Sequence, residues 1–512
     1  MIDVASLALG LAFLYVLYAS VNTRKRIPPD ARPLPGPQGA PWLGPFWNLP
    51  VEGVWHQWCE WAKEFGPIYQ MTLMGVTHVI VTKEDVAHDL LAKRGAIYSD
   101  RGAVPSVVNS KSTLSHGDGA GEYLPLMGRN EFWARQRKFA HGVLATARSE
   151  GFSDYPLLES RRYLYELMKN PASYSKTIEN FTSRIMCRLI WADPAHGNDL
   201  QQSAWQLLVQ MSPAGPLTNR LTPLLWLPRW LSPWMSKEKK RHDAQESWFL
   251  RLQRETLMQM AEKRAKPSFM KTYFQTMRKH NFQDEKEAAF TMGMLGVAGV
   301  FTMGSPLHTF ILAMVLFPQW LKPMQEEMDR ELGGDRPPEA KDYPRLPFLR
   351  AVIMECIRWR PAVPTGVAHE AEQDDVYNGY HIPKGALVHP VQWAFSRDES
   401  KFPDAETFNP MRWLEPSSPA YKEPLTQYPT IQNYSLFGFG RRTCMGQDLT
   451  ENTLLKRDSL GREIDVPMNA YNSLLIIKPD RFDFELVPRS EKHARVVEQR
   501  YEEALRTDPH AE

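Results

Sequence analysis

The chain has 512 residues, 43% hydrophobic and 23% charged, with a formal net charge of +2. That balance offers no basic face of the kind a nucleic acid demands, so no nucleic-acid partner is expected. Four cysteines (Cys59, Cys187, Cys356, Cys444) lie far apart with no CxxC, which argues against a disulfide framework or structural zinc and suits a reducing compartment.

The stretch VASLALGLAFLYVLYASV, Val4 to Val21, is free of charge and about long enough to cross a bilayer. The basic run Arg24 to Arg26 follows at once, which favours a cytoplasmic downstream side. No basic segment precedes the apolar run, so it reads as an anchor and not as a cleaved leader. Pro28 to Pro41, PPDARPLPGPQGAP, then reads as a stiff, extended spacer, because proline locks φ and cannot donate. The expected organisation is an anchor over 1–26, a proline-rich linker over 27–45 and one large domain over 46–512.

Within that domain IYQMTL and THVIVT read as two strands followed by a helix. From Glu131 to about Arg330 the pattern is mostly helical. After Glu355 it turns to short strands and Pro/Gly turns, as in YNGYHIPKGALVHP. The fold class predicted is mainly α with a minor β region. Thr222 to His242, TPLLWLPRWLSPWMSKEKKRH, sets Trp226, Trp230 and Trp234 among prolines ahead of a basic run. It is expected either to touch a membrane surface or to bury itself on its own protein.

The chemistry concentrates in FGFGRRTCMG, Phe437 to Gly446. A thiolate on a glycine-rich turn is a soft ligand for iron, and glycines let backbone amides reach the sulfur and tune it. Arg442 can pair with a carboxylate of a cofactor. A lone cysteine is otherwise most often inert core filling. The spacing of Phe437, Gly440, Arg442, Cys444 and Gly446 fits F-x-x-G-x-R-x-C-x-G and resembles the haem-binding loop of the cytochrome P-450 family.

Other marks of that family recur in order. ECIR, Glu355 to Arg358, resembles its E-x-x-R helix, where i and i+3 share a face. FNPMRW, Phe408 to Trp413, resembles the segment whose arginine, here Arg412, completes a buried Glu355–Arg358–Arg412 cluster. WARQR gives Trp133 and Arg137, similar to the family's W-x-x-x-R helix, and His369 matches another propionate contact. The resemblance runs from the anchor to Val487–Ser490, and fungal microsomal members of secondary metabolism look most similar.

It implies the cytochrome P-450 fold, with a helical haem domain and small sheets. It implies haem b with Cys444 as axial thiolate and metal ligand, held by Trp133, Arg137, His369, Phe437 and Arg442. Cys444 and Thr302 are the expected catalytic residues. Electrons would come from NADPH through a reductase that meets basic residues such as Arg135, Lys138 and Arg441. The expected protein is a single-pass enzyme of the endoplasmic reticulum membrane with a cytosolic catalytic domain. It would oxidise a lipophilic small molecule.

Two departures stand against the pattern. In AGVFTM the alignment gives Ala298, Gly299, Val300, Phe301 and Thr302, with Phe301 where the family carries an acid that helps relay protons. Gly299 is expected to open a kink for dioxygen, and Ser305–Pro306 to disturb the helix further. After Cys444 the usual long apolar helix is cut short at Leu455. The first departure motivates an alternative, oxidative rearrangement, ring expansion, desaturation or coupling without net oxygen insertion. The second motivates a catalytically decayed membrane haem protein.

Overall fold

Apolar side chains alternate through Ile68–Val81, and this period of two sets one face of a hairpin against the body of the protein. Its turn is Met74–Gly75, with φ of 50° and 81°. Left-handed conformation at both central residues gives the two-residue turn that matches strand twist. The chain is described from a computed structural model, which covers residues 27–508 except 105, 108–121, 150–153, 213, 223, 225–226, 228, 334–335, 337, 448, 451–470 and 485. The expected anchor, Trp226 and the segment after Leu455 lie outside the described residues.

Seven strands follow in chain order among the described residues: β1 (Arg32–Pro33), β2 (Ile68–Leu73), β3 (Val76–Val81), β4 (His369–Glu370), β5 (Asp375–Tyr377), β6 (Tyr380–Ile382) and β7 (Leu387–Pro390). They form a four-stranded sheet, β2-β3-β7-β4, and a three-stranded sheet, β1-β6-β5. β3 and β7 are parallel, with His78 opposite Leu387, and β4 returns antiparallel to β7 with His369 opposite Val388. The proline-rich stretch is extended but not free. β1 pairs with β6, Leu34 is buried, and the Gln70 amide donates to the Pro35 carbonyl at 2.8 Å.

Helices of eight residues or more, among the described residues, are α1 (Val54–Phe65), α2 (Glu131–Ser149), α3 (Asp154–Lys169), α4 (Tyr174–Trp191), α5 (Gly197–Met211), α6 (Pro233–Ala261), α7 (Phe269–Thr276), α8 (Glu285–Leu316), α9 (Leu321–Leu332), α10 (Pro347–Trp359) and α11 (Glu491–Thr507). The run from α2 to α9 occupies the stretch expected to be helical. α11 departs from the strand-rich ending expected after Glu355. Its Ala494, Val497, Tyr501 and Ala504 recur at helical spacing, a signal masked by the charged residues between them.

α8 is the axis of the molecule. It is apolar all round because other helices cover it on most sides. Its start is fixed by Asp284, whose carboxylate accepts the Glu287 amide at 2.7 Å. Pro306 sits inside the helix, which continues through it. At Gly293 an added Cβ would lie 2.3 Å from the Phe249 ring of α6, and at Gly299 it would lie 2.6 Å from the Met186 sulfur of α4. Gly299 therefore faces a neighbouring helix and permits its close approach. The residue beside it, Ala298, is the exposed one.

Candidate functional site

The Cys444 loop is shaped by two glycines in left-handed conformation. Gly438 and Gly440 have φ of 90° and 55°, and a Cβ on Gly440 would stand 2.4 Å from the Leu91 carbonyl oxygen. The loop folds back so that the Cys444 amide donates to the Phe437 carbonyl at 2.7 Å. Phe437 is half-buried on the main core, so its backbone carbonyl is what meets the cysteine. The Gly446 amide points at the Cys444 sulfur at 3.3 Å. Cys444 lies deep in the protein yet its surface is open. Both hold if the sulfur faces an enclosed slot. Burial raises its thiol above the ordinary value, against the lowering effects of the Gly446 amide and the Arg137 charge. A metal at the sulfur would reverse that balance, because the bound form is the thiolate.

One wall of the slot is built from α2. Asn130 caps its start, accepting the Trp133 amide at 2.8 Å. The Trp133 ring is flanked by the guanidiniums of Arg442, 4.3 Å from its centroid, and Arg137, at 5.7 Å. Arg137 donates to the Thr443 carbonyl at 2.6 Å and so ties α2 to the cysteine loop. Phe132 and Trp133 belong to a small core against which both Leu295 of α8 and Met445 pack. Ala298 and Thr302 follow Leu295 at i+3 and i+7, so they continue its face of α8 as a partly open ridge. The Thr302 hydroxyl donates to the Ala298 carbonyl at 2.6 Å.

The slot carries positive charge in excess. Arg442 donates through Nε to the Ser99 carbonyl at 2.7 Å, while its Nη2 is buried without a partner. Arg101 donates through Nη1 to the Val367 and Ala368 carbonyls, at 2.6 Å each, and its Nε is likewise buried and unpartnered. Burial and the neighbouring Arg101 charge push Arg442 down to about 8, and burial with the Arg137 charge pushes Arg101 down to about 10. His369 on β4 is buried, with Nδ1 2.6 Å from the Tyr98 carbonyl. That contact makes Nδ1 the protonated nitrogen and frees Nε2. Burial and Arg101 hold this imidazole well below its ordinary value, so it is neutral at pH 7. Arg101 and Arg442 keep buried, unpartnered donor nitrogens, and with Arg137 beside them they suit a ligand bearing carboxylates. A thiol beside a cluster of buried cations fits the donor set of haem.

The structure thus brings together Trp133, Arg137, His369, Arg442 and Cys444. Arg101 belongs with them, and sequence reasoning passed over it. No local spacing marks it, because its partners lie more than 260 residues further on. Arg135 does not face outward. It pairs with Glu287 at 2.7 Å and is committed to joining α2 to α8, whereas Lys138 and Arg441 are exposed.

The Glu355 cluster lies apart from the cradle and is fully buried. Arg358 makes a two-pronged contact with Glu355, at 2.9 and 2.7 Å, and Arg412 adds a third at 3.0 Å. The Asn409 amide and the Trp413 indole donate to the same carboxylate at 2.9 and 3.0 Å. Burial pushes this carboxyl up, but Arg358, Arg412 and these donors outweigh it and hold it below the ordinary range. The cluster locks α10 to the 396–413 segment that precedes the cysteine loop. A second group, Glu122, His242 and Glu246, has metal-like spacing. The Lys286 ammonium stands between its carboxylates, at 2.7 and 3.0 Å, and supplies the positive charge itself.

Helical layers, two small sheets and a thiol facing a cationic cradle define a haem-thiolate protein. Residues 34–455 match the family model described as Cytochrome P-450, and the chain belongs to that family of haem oxidoreductases. It is 31% identical to cytochrome P-450 monooxygenase virE of Hypocrea virens, over 96% of this chain and 92% of the relative. It is 30% identical to cytochrome P-450 monooxygenase claR of Ampulloclitocybe clavipes, over 96% and 91%. A zebrafish cytochrome P-450 solved with progesterone shares the fold, with a TM-score of 0.70 at 20% identity, covering 85% of this chain and 99% of that one. The match begins inside the proline-rich stretch, in line with its docking on the sheets.

Proposed function

We propose that this enzyme oxidises a lipophilic small molecule in fungal secondary metabolism, with haem b held by Cys444 and by Trp133, Arg101, Arg137, His369 and Arg442. The excess of buried positive charge around the Cys444 slot carries this reading. Haem with an axial thiolate supplies dioxygen activation when bound. The residues of this chain supply the surroundings. The three arginines offer donors to its carboxylates, while His369 spends its one N–H on the Tyr98 carbonyl beside them. The Gly446 amide moderates the electron density that Cys444 can donate. Leu295 and Ala298 give the slot an apolar side that excludes water and receives an apolar molecule. Thr302 keeps a hydroxyl proton on the Ala298 carbonyl, where it can turn toward a bound molecule without any backbone change.

The exposed Lys138 and Arg441 flank the cysteine loop and suit the acidic surface of an NADPH-dependent reductase. The same proposal places residues 1–26 across the endoplasmic reticulum membrane, with the enzyme on the cytosolic side. A second contact comes from an apolar surface of Trp47, Leu217, Leu227, Trp230, Leu231 and Met235, in which Trp47 and Trp230 are 81% and 80% exposed. Arg220 joins its two halves, donating to the Leu49 carbonyl at 3.2 Å and standing 5.1 Å over the Phe46 ring. Trp234 is half-buried in the following helix.

The purified, reduced protein under carbon monoxide tests the haem-thiolate assignment. It should give the red-shifted Soret band of thiolate-ligated haem, and Cys444→Ala should abolish both the band and turnover. Turnover that survives this change would remove the thiolate from the mechanism.

A further inference from the structure

Position 301 carries Phe where the family resemblance leads to an acid, and the structure shows where that side chain goes. Phe301 is 7% exposed and its ring meets Trp205 of α5, with centroids 5.9 Å apart and planes at 66°. This is the edge-to-face geometry favoured by aromatic pairs. Trp205 is anomalous in its turn. It touches a core residue yet keeps 41% of its surface free. Leu208 and Ser212 follow Trp205 at i+3 and i+7, and both are buried. The Ser212 hydroxyl accepts the Leu475 amide at 2.8 Å. The partly free indole sits against Phe301, the residue that precedes Thr302 in α8.

We propose that the Phe301–Trp205 contact is a specificity device: it sets how far α5 stands above Thr302, and the free face of Trp205 receives an apolar, ring-bearing part of the substrate. Phe301 is then a positioning residue that acts through Trp205, outside any proton path. The inference rests on the haem-thiolate reading. The aromatic pair joins α5 and α8 through contact area, so the joint is indifferent to pH and salt.

The test uses haem-loaded, full-length protein and two iron ligands, imidazole and 4-phenylimidazole, titrated by their Soret shifts. On this proposal the phenyl group meets the free face of Trp205, which imidazole alone is too small to reach. Phe301→Leu and Trp205→Leu should each weaken 4-phenylimidazole relative to imidazole by about 3- to 10-fold, the range a lost aromatic contact gives. The double variant should be little worse than either single variant, because both changes break one contact. The conservative Phe301→Tyr and Trp205→Phe should keep most of the wild-type ratio and stay testable if the leucine variants misfold. An unchanged ratio in proteins that still bind imidazole, or effects that simply add, would overturn this proposal and leave the haem-thiolate reading standing. A wild-type chain with no carbon monoxide band would overturn both.

Discussion

Arg442 shows at the scale of one residue how a cofactor site can be recognised from its protein side. A guanidinium held down to about 8 by burial and by Arg101 costs the empty protein stability, and one of its nitrogens has nothing to bond. Such a residue makes sense only when an anion arrives. Replacing it should therefore have opposite effects on the two states. In haem-free protein Arg442→Met should leave the melting temperature unchanged or raise it, because a buried cation is exchanged for an apolar chain that still covers Trp133. Haem affinity should fall by about 10- to 100-fold, corresponding to a lost charged hydrogen bond of roughly 1.5–3 kcal/mol. Haem titration of the apoprotein, with thermal unfolding beside it, reads both. A destabilised apoprotein with unaltered haem affinity would make Arg442 a structural residue.

Elements were legible where a period or a turn signature is local. The hairpin around Met74–Gly75 and the helical run beginning at Glu131 could be read from alternation and spacing. Cys444 and its loop were legible because five defining residues fall within ten positions. What escaped was long-range. Arg101 acquires its place from carbonyls at 367 and 368, and Phe301 is explained by a ring on another helix. α11 escaped because its apolar stripe is sparse. That helix is firmly attached nonetheless. Tyr501 stacks on Tyr165 of α3 with centroids 4.1 Å apart, and Glu498 pairs with Lys169 at 2.7 Å. Beyond its last turn Asp508 reaches Arg188 of α4, which is 1% exposed and also pairs with Glu159. Ending the chain after residue 490 would leave Arg188 with one carboxylate that Arg184 already shares, at 2.6 Å. Breaking a buried pair of this kind costs about 3–5 kcal/mol. The truncated protein should melt earlier, and Arg188→Met should recover part of the loss in the truncated chain while destabilising the full one. Equal melting of truncated and full chains would make α11 a passenger.

The molecule as a whole is asymmetric, and its exposed apolar surface bears on how it sits in the cell. Among the described residues the one helix long and apolar enough to span a bilayer is α8, which is mostly buried and serves as the core. The proposed membrane attachment rests on residues 1–26 and on the Trp47–Trp230 surface. The two differ in strength. A spanning helix is effectively irreversible, whereas a few interfacial side chains bind as a single acyl chain does, marginally and reversibly. Burying one large apolar side chain contributes roughly 1.5–3 kcal/mol, so two tryptophans and their leucine neighbours together exceed the ordering cost only modestly. Deleting residues 1–26 should therefore leave a fraction of the protein on vesicles in a flotation assay. Adding Trp47→Ser and Trp230→Ser to that deletion should release the rest, while the same pair in the full-length chain should leave it bound. Complete release by the deletion alone would show that this surface faces something other than lipid.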